Sequence, residues 1–385
     1  MADILNSMQE TSQLGLKMSQ YRRLRYDGSV IIYYFYNGVY FRVLASADWR
    51  RETDELPKGY DVDNSTEGQI LFKIEELKAE IFKIEEQGLD GDPQEIEDEI
   101  EQLKNKLIDV VADTCMEMIK ELAPETPLPA PRTLQEHIYP TSYTFQVLTE
   151  DDKLVCHRRD DYVIDDDYPP IPEEKLKAIN LDEDVPIVNP SQVVVRKKLH
   201  GLVLECEVEG EMMILKVSGD VEFWNSLGDE LGAYMKIRKS KEDIRVPKLK
   251  GIVKSHTGII GILLSSIPRK HPSLFMILAM AEHGQAPDIA AALPVLGKKW
   301  AEQIQRTVEQ LHGLGVVWGD VKTDNVLIDE NDDAFVLDFG GGHPLGWVDE
   351  DKHGTVEGDL QGLEKILDVL HGRVKSNHYF VKADY

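Results

Sequence analysis

Two short motifs on either side of a predicted hairpin constrain the fold of this chain more than any other feature. Asp320 and Asn325 belong to the first, Trp-Gly-Asp-Val-Lys-Thr-Asp-Asn, and Asp338 opens the second, Asp-Phe-Gly. The apolar runs 326–328 and 334–337 flank an acidic turn, a pattern that predicts two short paired strands. Because both ends of such a hairpin lie at the same edge, we expect the side-chain oxygens of Asn325 and Asp338 to share a metal ion.

This order of motifs resembles the protein-kinase-like superfamily, in particular the fungal kinase-like proteins with Trp-Gly-Asp-Val-Lys in the catalytic loop and Phe-Gly-Gly-Gly after the metal-binding aspartate. The resemblance covers about the last half of the chain. It implies that Asp320 is the catalytic base and that Asn325 and Asp338 hold Mg²⁺ on the phosphates of ATP. Lys322 matches the lysine that serine/threonine kinases place two residues after the base, which favours a serine- or threonine-type hydroxyl as phosphate acceptor.

A kinase also needs a lysine on a strand to hold the α- and β-phosphates. Lys216, in the apolar run 212–217, fits this role better than that of a solvated lysine at a strand edge. Its usual partner is a glutamate on a helix. Glu230 is the first choice, since apolar residues at helical spacing beside it predict an inward face. Glu222 is the alternative partner, and an exposed helix acid is the competing interpretation of Glu230.

The glycine-rich loop departs from the family pattern. Residues 198–203 contain one glycine, Gly201, where the pattern has three. Glycines in such a loop let backbone N–H groups approach phosphates without an intervening side chain. His200 and Leu202 are therefore expected to narrow or reshape the phosphate site.

The small lobe is predicted to contain five strands, at 193–197, 203–208, 212–217, 258–264 and 274–280. The last of them would lead into the hinge that meets the adenine, at 278–281, which assigns Ala279 and Ala281 to the nucleotide site. Apolar residues at helical spacing follow at 296–311 and predict the helix that precedes the catalytic loop.

Other departures concern regulation and the acceptor. Trp318 and Gly319 replace the family's His-Arg pair, whose arginine normally receives a phosphorylated activation loop, so this chain should not be switched on in that way. Asp359 resembles the buried aspartate that anchors the next helix to the catalytic loop, and His312 is expected to be a hydrogen-bonded structural residue. The short sequence after that helix predicts a truncated C-terminal lobe.

The first half of the chain does not resemble a kinase and begins with a hairpin signal. Asn37 and Gly38 separate the apolar runs 30–36 and 39–44, and both residue types tolerate positive φ. A two-stranded hairpin is not stable alone, so it must pack against another part of the protein.

A helical hairpin is predicted next. Apolar residues at 70–84 and 96–110 recur at spacings of three and four, and residues 88–92 form the turn between them. We favour packing of the two antiparallel helices against each other over dimerisation. A protein partner bound through residues 70–122 is a further possibility.

Composition argues against several classes of function. The formal net charge of -27 at pH 7 disfavours binding to nucleic acid or to an anionic membrane, and makes basic protein segments more compatible partners. The 3 cysteines form no Cys-x-x-Cys pair, which favours a reducing compartment. No secretory signal and no bilayer-spanning apolar run are found, so the cytoplasm or the nucleus is the expected location.

These patterns predict an α+β chain of three regions: an N-terminal region with a β-hairpin and an antiparallel helical hairpin (1–123), a proline- and acid-rich connecting region (124–190), and a bilobal protein-kinase-like domain with a truncated C-terminal lobe (191–385). The small lobe would cover about 191–281 and the large lobe about 282–385. The expected function is transfer of the γ-phosphoryl group of ATP to a hydroxyl acceptor, with Mg²⁺. A small-molecule kinase, or an ATP-binding pseudokinase that acts as a scaffold through its helical hairpin, is the alternative.

Overall fold

The structure is a computed structural model of the chain, and it describes residues 9–10, 17–23, 30–45, 66–87, 93–126, 132–150, 153–160, 170–179, 181–218, 221–342 and 344–379. These residues belong to two compact units, 1–165 and 166–385. The turn predicted at 88–92 and the side chain of Glu222 lie outside the described part of the chain.

The first unit is a six-stranded sheet with helices inserted between its fourth and fifth strands. Its elements are β1 (Gln9–Glu10), β2 (Lys17–Arg23), β3 (Val30–Tyr36), β4 (Val39–Ala45), α1 (Thr66–Gln87), α2 (Pro93–Leu122), α3 (Leu134–Ile138), β5 (Ser142–Glu150) and β6 (Lys153–Arg158). The strand order is β1-β2-β3-β4-β5-β6, and β4 and β5 are parallel. A parallel pair needs a long crossover connection, which α1 and α2 provide. Asn37 and Gly38 form the β3–β4 turn, with φ of 48° and 87°.

The two long helices of the first unit pack against one face of the sheet. Phe145 of β5 and Leu107 of α2 are both fully buried in the same apolar core. The hydroxyl of Tyr34 on β3 donates a hydrogen bond to the carbonyl of Ile108 at 2.6 Å. Much of the apolar seam of the helices is therefore buried against their own sheet. Protein binding through residues 70–122 stays a prediction.

The second unit combines another six-stranded sheet with a mainly helical part. Its elements are α4 (Glu173–Ile179), β7 (Ile187–Val188), β8 (Val194–His200), β9 (Val203–Val208), β10 (Glu211–Val217), α5 (Val221–Arg238), β11 (Leu249–Lys254), β12 (Ile259–Ser265), α6 (Leu274–Glu282), α7 (Pro287–Gly313), β13 (Val326–Ile328), β14 (Ala334–Val336) and α8 (Val356–Leu370). The strand order is β7-β11-β12-β10-β9-β8, and β13 pairs with β14 in a separate hairpin. This mixed α+β arrangement is compatible with a kinase-like fold.

Residues 274–280 form part of helix α6, so the strand predicted there is wrong. The buried residues of α6 recur at spacings of one to three and lie on one face: Leu274, Ile277, Leu278 and Ala281. The side chain of Ser273 accepts a hydrogen bond from the backbone N–H of Met276 and caps the helix. A short apolar run is compatible with a strand or a buried helix, and here the cap and the neighbouring elements favour the helix.

The sheet of the second unit contains a strand, β11, that the sequence did not predict. It pairs antiparallel with β12 and parallel with β7. At Gly251, a Cβ atom would lie 2.9 Å from the carbonyl oxygen of Pro186, so the close approach of the two backbones requires glycine. Lysines and this glycine interrupt the apolar pattern of β11, which explains why periodicity did not reveal it.

The structure divides residues 124–190 between the two units. Strands β5 and β6 complete the first sheet, whereas Ile171 and Val185 join the apolar core of the second unit. Proline and acidic residues suggested a separate connecting region, but strand pairing and burial assign its parts to different cores.

Packing of α7 and α8 positions the loop that carries the first motif. Trp300 of α7 and Ile366 of α8 are fully buried in the same core as Val326 and Val336 of the β13–β14 hairpin. The loop 318–325 runs from the end of α7 toward β13, and its residues Trp318 and Val321 are buried in the same core. None of the described helices is both long and apolar enough to cross a membrane.

Candidate active site

One buried carboxylate fixes the backbone of the first motif. Asp359, in the first turn of α8, is 1% exposed. It accepts hydrogen bonds from the backbone N–H groups of Trp318 at 2.7 Å and Gly319 at 2.8 Å, and its Oδ2 lies 2.8 Å from Nε2 of His312. Hydrogen bonds to a carboxylate are stronger than neutral ones, so these contacts hold the loop firmly to α8. The predicted anchoring role of Asp359 and the structural role of His312 are confirmed.

The Trp-Gly pair joins the first motif to the second. Gly319 has a φ of +80°, and a Cβ atom there would lie 3.2 Å from Cα of Gly341. The indole N–H of Trp318 donates to the carbonyl of Leu337 at 2.7 Å. Glycine at 319 therefore allows the two segments to pass close to each other, and Trp318 adds a hydrogen bond between them.

Asp320 has one oxygen engaged by its neighbours and one without a partner. Its Oδ2 accepts hydrogen bonds from Nζ of Lys322 at 2.6 Å and from Nδ2 of Asn325 at 2.7 Å. Its Oδ1 is buried and has no hydrogen-bond partner among the described residues. A Cβ atom at Gly342 would lie 2.8 Å from Oδ1, so the backbone after the second motif covers this oxygen closely. Oδ1 is therefore the oxygen of Asp320 that makes no hydrogen bond to the described residues, and the segment at Gly342 lies over it.

The β13–β14 hairpin brings Asn325 and Asp338 together. The backbone N–H of Leu337 donates to the carbonyl of Asn325 at 2.9 Å, beyond the last paired residues of the strands. Nδ2 of Asn325 donates to Asp320, which leaves Oδ1 of Asn325 as a possible ligand atom. Asp338 has a φ of +68°, an uncommon conformation for a residue with a side chain and one that concentrates at functional sites.

These two side chains form a donor set suited to Mg²⁺. Asn325 and Asp338 both line the same cavity. In nucleotide sites Mg²⁺ takes one or two oxygens from the protein and the others from phosphates and water. Within the described ranges, no three histidine, cysteine, aspartate or glutamate side chains converge as a metal site, so a metal held entirely by such residues is not indicated there.

Lys216 on β10 lies between two carboxylates. Its Nζ is 2.8 Å from both oxygens of Glu230 on α5 and 3.0 Å from Oδ1 of Asp338. Burial alone would lower the pKa of Lys216, but the charges of Glu230 and Asp338 outweigh it and raise the pKa above its usual value. Burial raises the pKa of Glu230, and the Lys216 ammonium opposes that change. Lys216 is therefore a charged ammonium at neutral pH.

A cavity of about 620 Å³ connects these groups. Its apolar lining residues include Val203, Ile214, Leu264, Leu327 and Leu337. Its charged and amide lining residues include Lys216, Glu230, Asn325 and Asp338. An apolar wall beside a few converging polar groups is the usual composition of a small-molecule site.

Three predicted nucleotide-site residues do not line this cavity as the structure describes it. Gly201 lies in the β8–β9 turn, and apart from its chain neighbours no residue comes within 4 Å of its Cβ position. Ala279 and Ala281 lie in α6, so their assignment to the hinge is wrong. The segment 265–272, which leaves β12, lines the cavity instead. Pro268 and Pro272 are the sequence signal that could have ended the predicted sheet at β12, before 274–280. Proline has no backbone N–H to donate to a neighbouring strand.

Tyr234 also lines the cavity, and the sequence indicated only that it faces inward. Its ring meets the ring of Phe339 edge-on, with centroids 5.5 Å apart, and links α5 to the second motif. Its hydroxyl is buried without a hydrogen-bond partner in the described part of the chain. Burial, followed by the charges of Glu230 and Asp338, raises the pKa of Tyr234 well above its usual value, so the hydroxyl keeps its proton.

Comparison with known proteins gives a partial similarity to kinases. No protein-family model matches the chain. A segment of 104 residues, 26% of this chain, is 28% identical to the serine/threonine-protein kinase PKH3 of Eremothecium gossypii and covers 14% of that protein. A segment of 118 residues, 30% of this chain, is 28% identical to the serine/threonine-protein kinase ksg1 of Schizosaccharomyces pombe and covers 19% of it. The similarity is to the kinase-like superfamily, and the aligned segments span less than a fifth of these relatives.

Proposed function

We propose that this chain is an ATP- and Mg²⁺-dependent phosphotransferase of the protein-kinase-like class, which transfers the γ-phosphoryl group of ATP to a serine- or threonine-type hydroxyl. The observation that carries the proposal is one cavity in which an apolar wall meets Lys216, Asn325 and Asp338. Asp320 lies beside them through its hydrogen bond with Asn325. The partial similarity to two serine/threonine kinases supports the phosphotransferase class.

The cavity has two kinds of lining residue, apolar and charged, and each kind suits a different part of the nucleotide. Leu264 and Leu327 suit the faces of the base, and Lys216 suits the phosphates. An ammonium has three N–H donors, and at Lys216 all of them meet carboxylate oxygens. A phosphate oxygen therefore gains a donor from Lys216 by replacing Asp338, while both hydrogen bonds to Glu230 hold the ammonium in place.

Asn325 and Asp338 are the residues that would hold Mg²⁺. The ion would neutralise charge on the phosphates during transfer. The hydrogen bonds from Nδ2 of Asn325 keep the amide nitrogen on the side of Asp320, so the carbonyl oxygen is the atom left for a ligand. Asp338 contributes a carboxylate whose side chain is 39% exposed and therefore accessible.

Asp320 would accept the proton of the attacking hydroxyl. The hydroxyl oxygen forms a bond to the γ-phosphorus, the bond from that phosphorus to the bridging oxygen breaks, and ADP leaves. The proton goes to Oδ1 of Asp320, because Oδ2 already accepts hydrogen bonds from Lys322 and Asn325. Lys322 is assigned to steady the transferred group. Access to Oδ1 requires the covering backbone at Gly342 to shift.

A nucleotide-binding scaffold without turnover is the second candidate function. The close cover of Gly342 over Oδ1 of Asp320 favours it, because this contact blocks the approach of an acceptor. The short turn at Gly201 and Leu202 also favours it, because it provides less backbone to hold phosphates than a glycine-rich loop. In this case ATP binds but no phosphoryl group is transferred.

Calorimetric titration of Mg²⁺-ATP into the whole chain, combined with measurement of ADP release, tests the proposal. The acceptors are serine- and threonine-containing peptides and small hydroxyl compounds. Lys216→Ala and Asp338→Ala should each weaken binding of Mg²⁺-ATP about tenfold or more, because the first removes a cation that would contact phosphate and the second removes a carboxylate that would hold Mg²⁺. Asp320→Asn should keep binding and lower turnover by about 100-fold or more, since it removes the proton acceptor. Lys254→Ala is the matched control, because Lys254 is exposed and does not line the cavity.

The outcomes separate the two candidates. ATP binding without ADP release by the wild type would support the scaffold. Undiminished turnover in Asp320→Asn would show that another group is the base. Absence of ATP binding in the wild type would overturn both functions.

A further inference from the structure

The turn between β8 and β9 is too short to cover phosphates with backbone N–H groups. The strand register pairs His200 with Val203, so the turn consists of Gly201 and Leu202. Gly201 has a φ of +44° and does not line the cavity. The carbonyl of Leu202 accepts a hydrogen bond from the backbone N–H of Val217 at 3.0 Å, which ties the turn back to its own sheet. A polyphosphate in this cavity needs other donors.

Lys216 cannot supply them alone, because its three N–H donors meet Glu230 and Asp338. Displacing Asp338 would free one donor for a group that carries three or four negative charges. The chain itself has a formal net charge of -27, which repels anions at long range. Besides Mg²⁺, a local excess of cationic side chains at the cavity would therefore favour nucleotide binding.

A cationic rim of the cavity consists of Lys197, His200, Arg269, Lys270 and His271, and its fixed charges are those of the two lysines and the arginine. The first two come from β8 and the others from the segment that leaves β12, so the rim joins two parts of the chain about 70 residues apart. Glu205 is the acidic lining residue outside the Lys216 cluster. In the described part of the chain, no carboxylate lies within ion-pair distance of Lys197, Arg269 or Lys270.

Part of the rim lies near the Lys216 cluster. Lys216, Asp338 and Arg269 are all close enough to His200 for their charges to act on its ring, and all four residues line the same cavity. Arg269 lies between two prolines, at 268 and 272, whose fixed φ angles restrict the segment. Restriction before binding lowers the entropy lost when the side chains order around a ligand.

We propose that the cationic rim binds the polyphosphate of the nucleotide in place of a glycine-rich loop. The inference rests on the proposed function and names the residues that would give the nucleotide site its affinity for phosphates. Arg269 offers a planar set of donors that matches two phosphate oxygens, and Lys197 and Lys270 offer point charges. Affinity should therefore increase with the number of phosphates, from adenosine to ADP to ATP, and should weaken as salt is added.

The test compares adenosine, ADP, ATP and inorganic tripolyphosphate by calorimetry on the whole chain, with Mg²⁺ held constant. The variant is Arg269→Ala/Lys270→Ala. Loss of two charge-assisted contacts should weaken ATP binding about 10- to 100-fold and change adenosine binding less than about twofold. Arg269→Lys keeps the charge but not the planar donors. Its affinity for ATP should lie between those of the double variant and the wild type. Lys254→Ala should bind all four ligands as the wild type does, and unfolding midpoints check that every variant is folded.

The result for each ligand decides between the explanations. Equal losses for adenosine and ATP, or no loss for either, would overturn a phosphate-binding rim. Wild-type binding of tripolyphosphate but not of adenosine or ATP, removed by Arg269→Ala/Lys270→Ala, would keep the rim as a polyphosphate site and overturn the proposed function. A wild type that binds none of the four ligands would overturn both.

Discussion

Nζ of Lys216 on β10 lies 2.8 Å from each carboxylate oxygen of Glu230 on α5, and this ion pair joins the sheet of the second unit to its helix. The Glu230 side chain is 3% exposed, so water screens the contact weakly. Asp338, which belongs to the second motif, accepts a hydrogen bond from the same ammonium at 3.0 Å. One lysine therefore links three segments that line the same cavity.

Glu230→Gln should destabilise the protein. The amide keeps the shape of the side chain but leaves the buried Lys216 ammonium with one carboxylate instead of two. We expect the free energy of unfolding to fall by about 3–5 kcal/mol, as for other broken buried pairs. Urea unfolding measures this difference. The control is Asp229→Asn on the same helix, where the carboxylate is 59% exposed and pairs with Lys175. This variant should lower the free energy of unfolding by less than about 1 kcal/mol. Equal losses for both variants would contradict a special role for Glu230.

Gly342→Ala should lower turnover more than ATP binding. The added Cβ would lie 2.7 Å from Cγ of Asp320, closer than such atoms pack, so the carboxylate or the covering segment must move. We expect ADP release to fall at least about tenfold, since small displacements of catalytic groups are costly. The control is Gly313→Ala in α7, where a Cβ would meet nothing within 4 Å. Normal ADP release by Gly342→Ala would contradict the prediction and would show that the covering segment takes up the whole displacement while the Asp320 carboxylate keeps its position.

Asp359→Asn should loosen the loop 318–325. One carboxylate accepts the N–H groups of Trp318 and Gly319, and an asparagine would turn an N–H donor toward at least one of its present partners. The expected loss in the free energy of unfolding is about 2–4 kcal/mol, because the donors are buried. Chemical denaturation measures it. Asp368→Asn on the same helix removes a contact with Arg373, whose side chain is 64% exposed, and should cost less than about 1 kcal/mol.

Asp333 should contribute stability that is lost in acid. Burial would raise its pKa, but hydrogen bonds from Lys299 and Gln303 and the charge of Arg245 outweigh it and lower the pKa from 3.8 to about 2. Because the pKa is lower in the folded state, the contribution is present above about pH 4 and is lost as the pH falls toward 2. The side chain is partly exposed, so screening by water reduces the contribution to about 1 kcal/mol.

Asp333→Asn tests this pH dependence. At pH 7 the variant should unfold with a free energy about 1 kcal/mol lower than the wild type, and the difference should shrink as the pH falls toward 2. Unfolding by urea at a series of pH values gives the comparison. Asp332→Asn at the neighbouring exposed position is the control and should show no such trend. A difference that grows in acid would contradict the assignment.

The arrangement of the two motifs could be predicted because it depends on local chain geometry. Asp320 and Asn325 are close in sequence, and a short hairpin returns the chain from Asn325 to Asp338. Any folded state with this hairpin brings the three side chains near one another. The helical spacing around Glu230 likewise indicated its inward position, and the structure pairs it with Lys216. Their catalytic roles are predictions that the proposed substitutions address.

The sequence by itself determined the local elements that carry the charged groups, because turn chemistry and periodicity act over a few residues. Only the tertiary structure decided that residues 274–282 are a helix, that 265–272 line the cavity and that Arg269 lies near His200. A short apolar run can bury its side chains as a strand or as a helix, and the choice depends on the surfaces that other segments provide. Contacts between segments about 70 residues apart likewise depend on packing of the whole unit, which no local pattern contains.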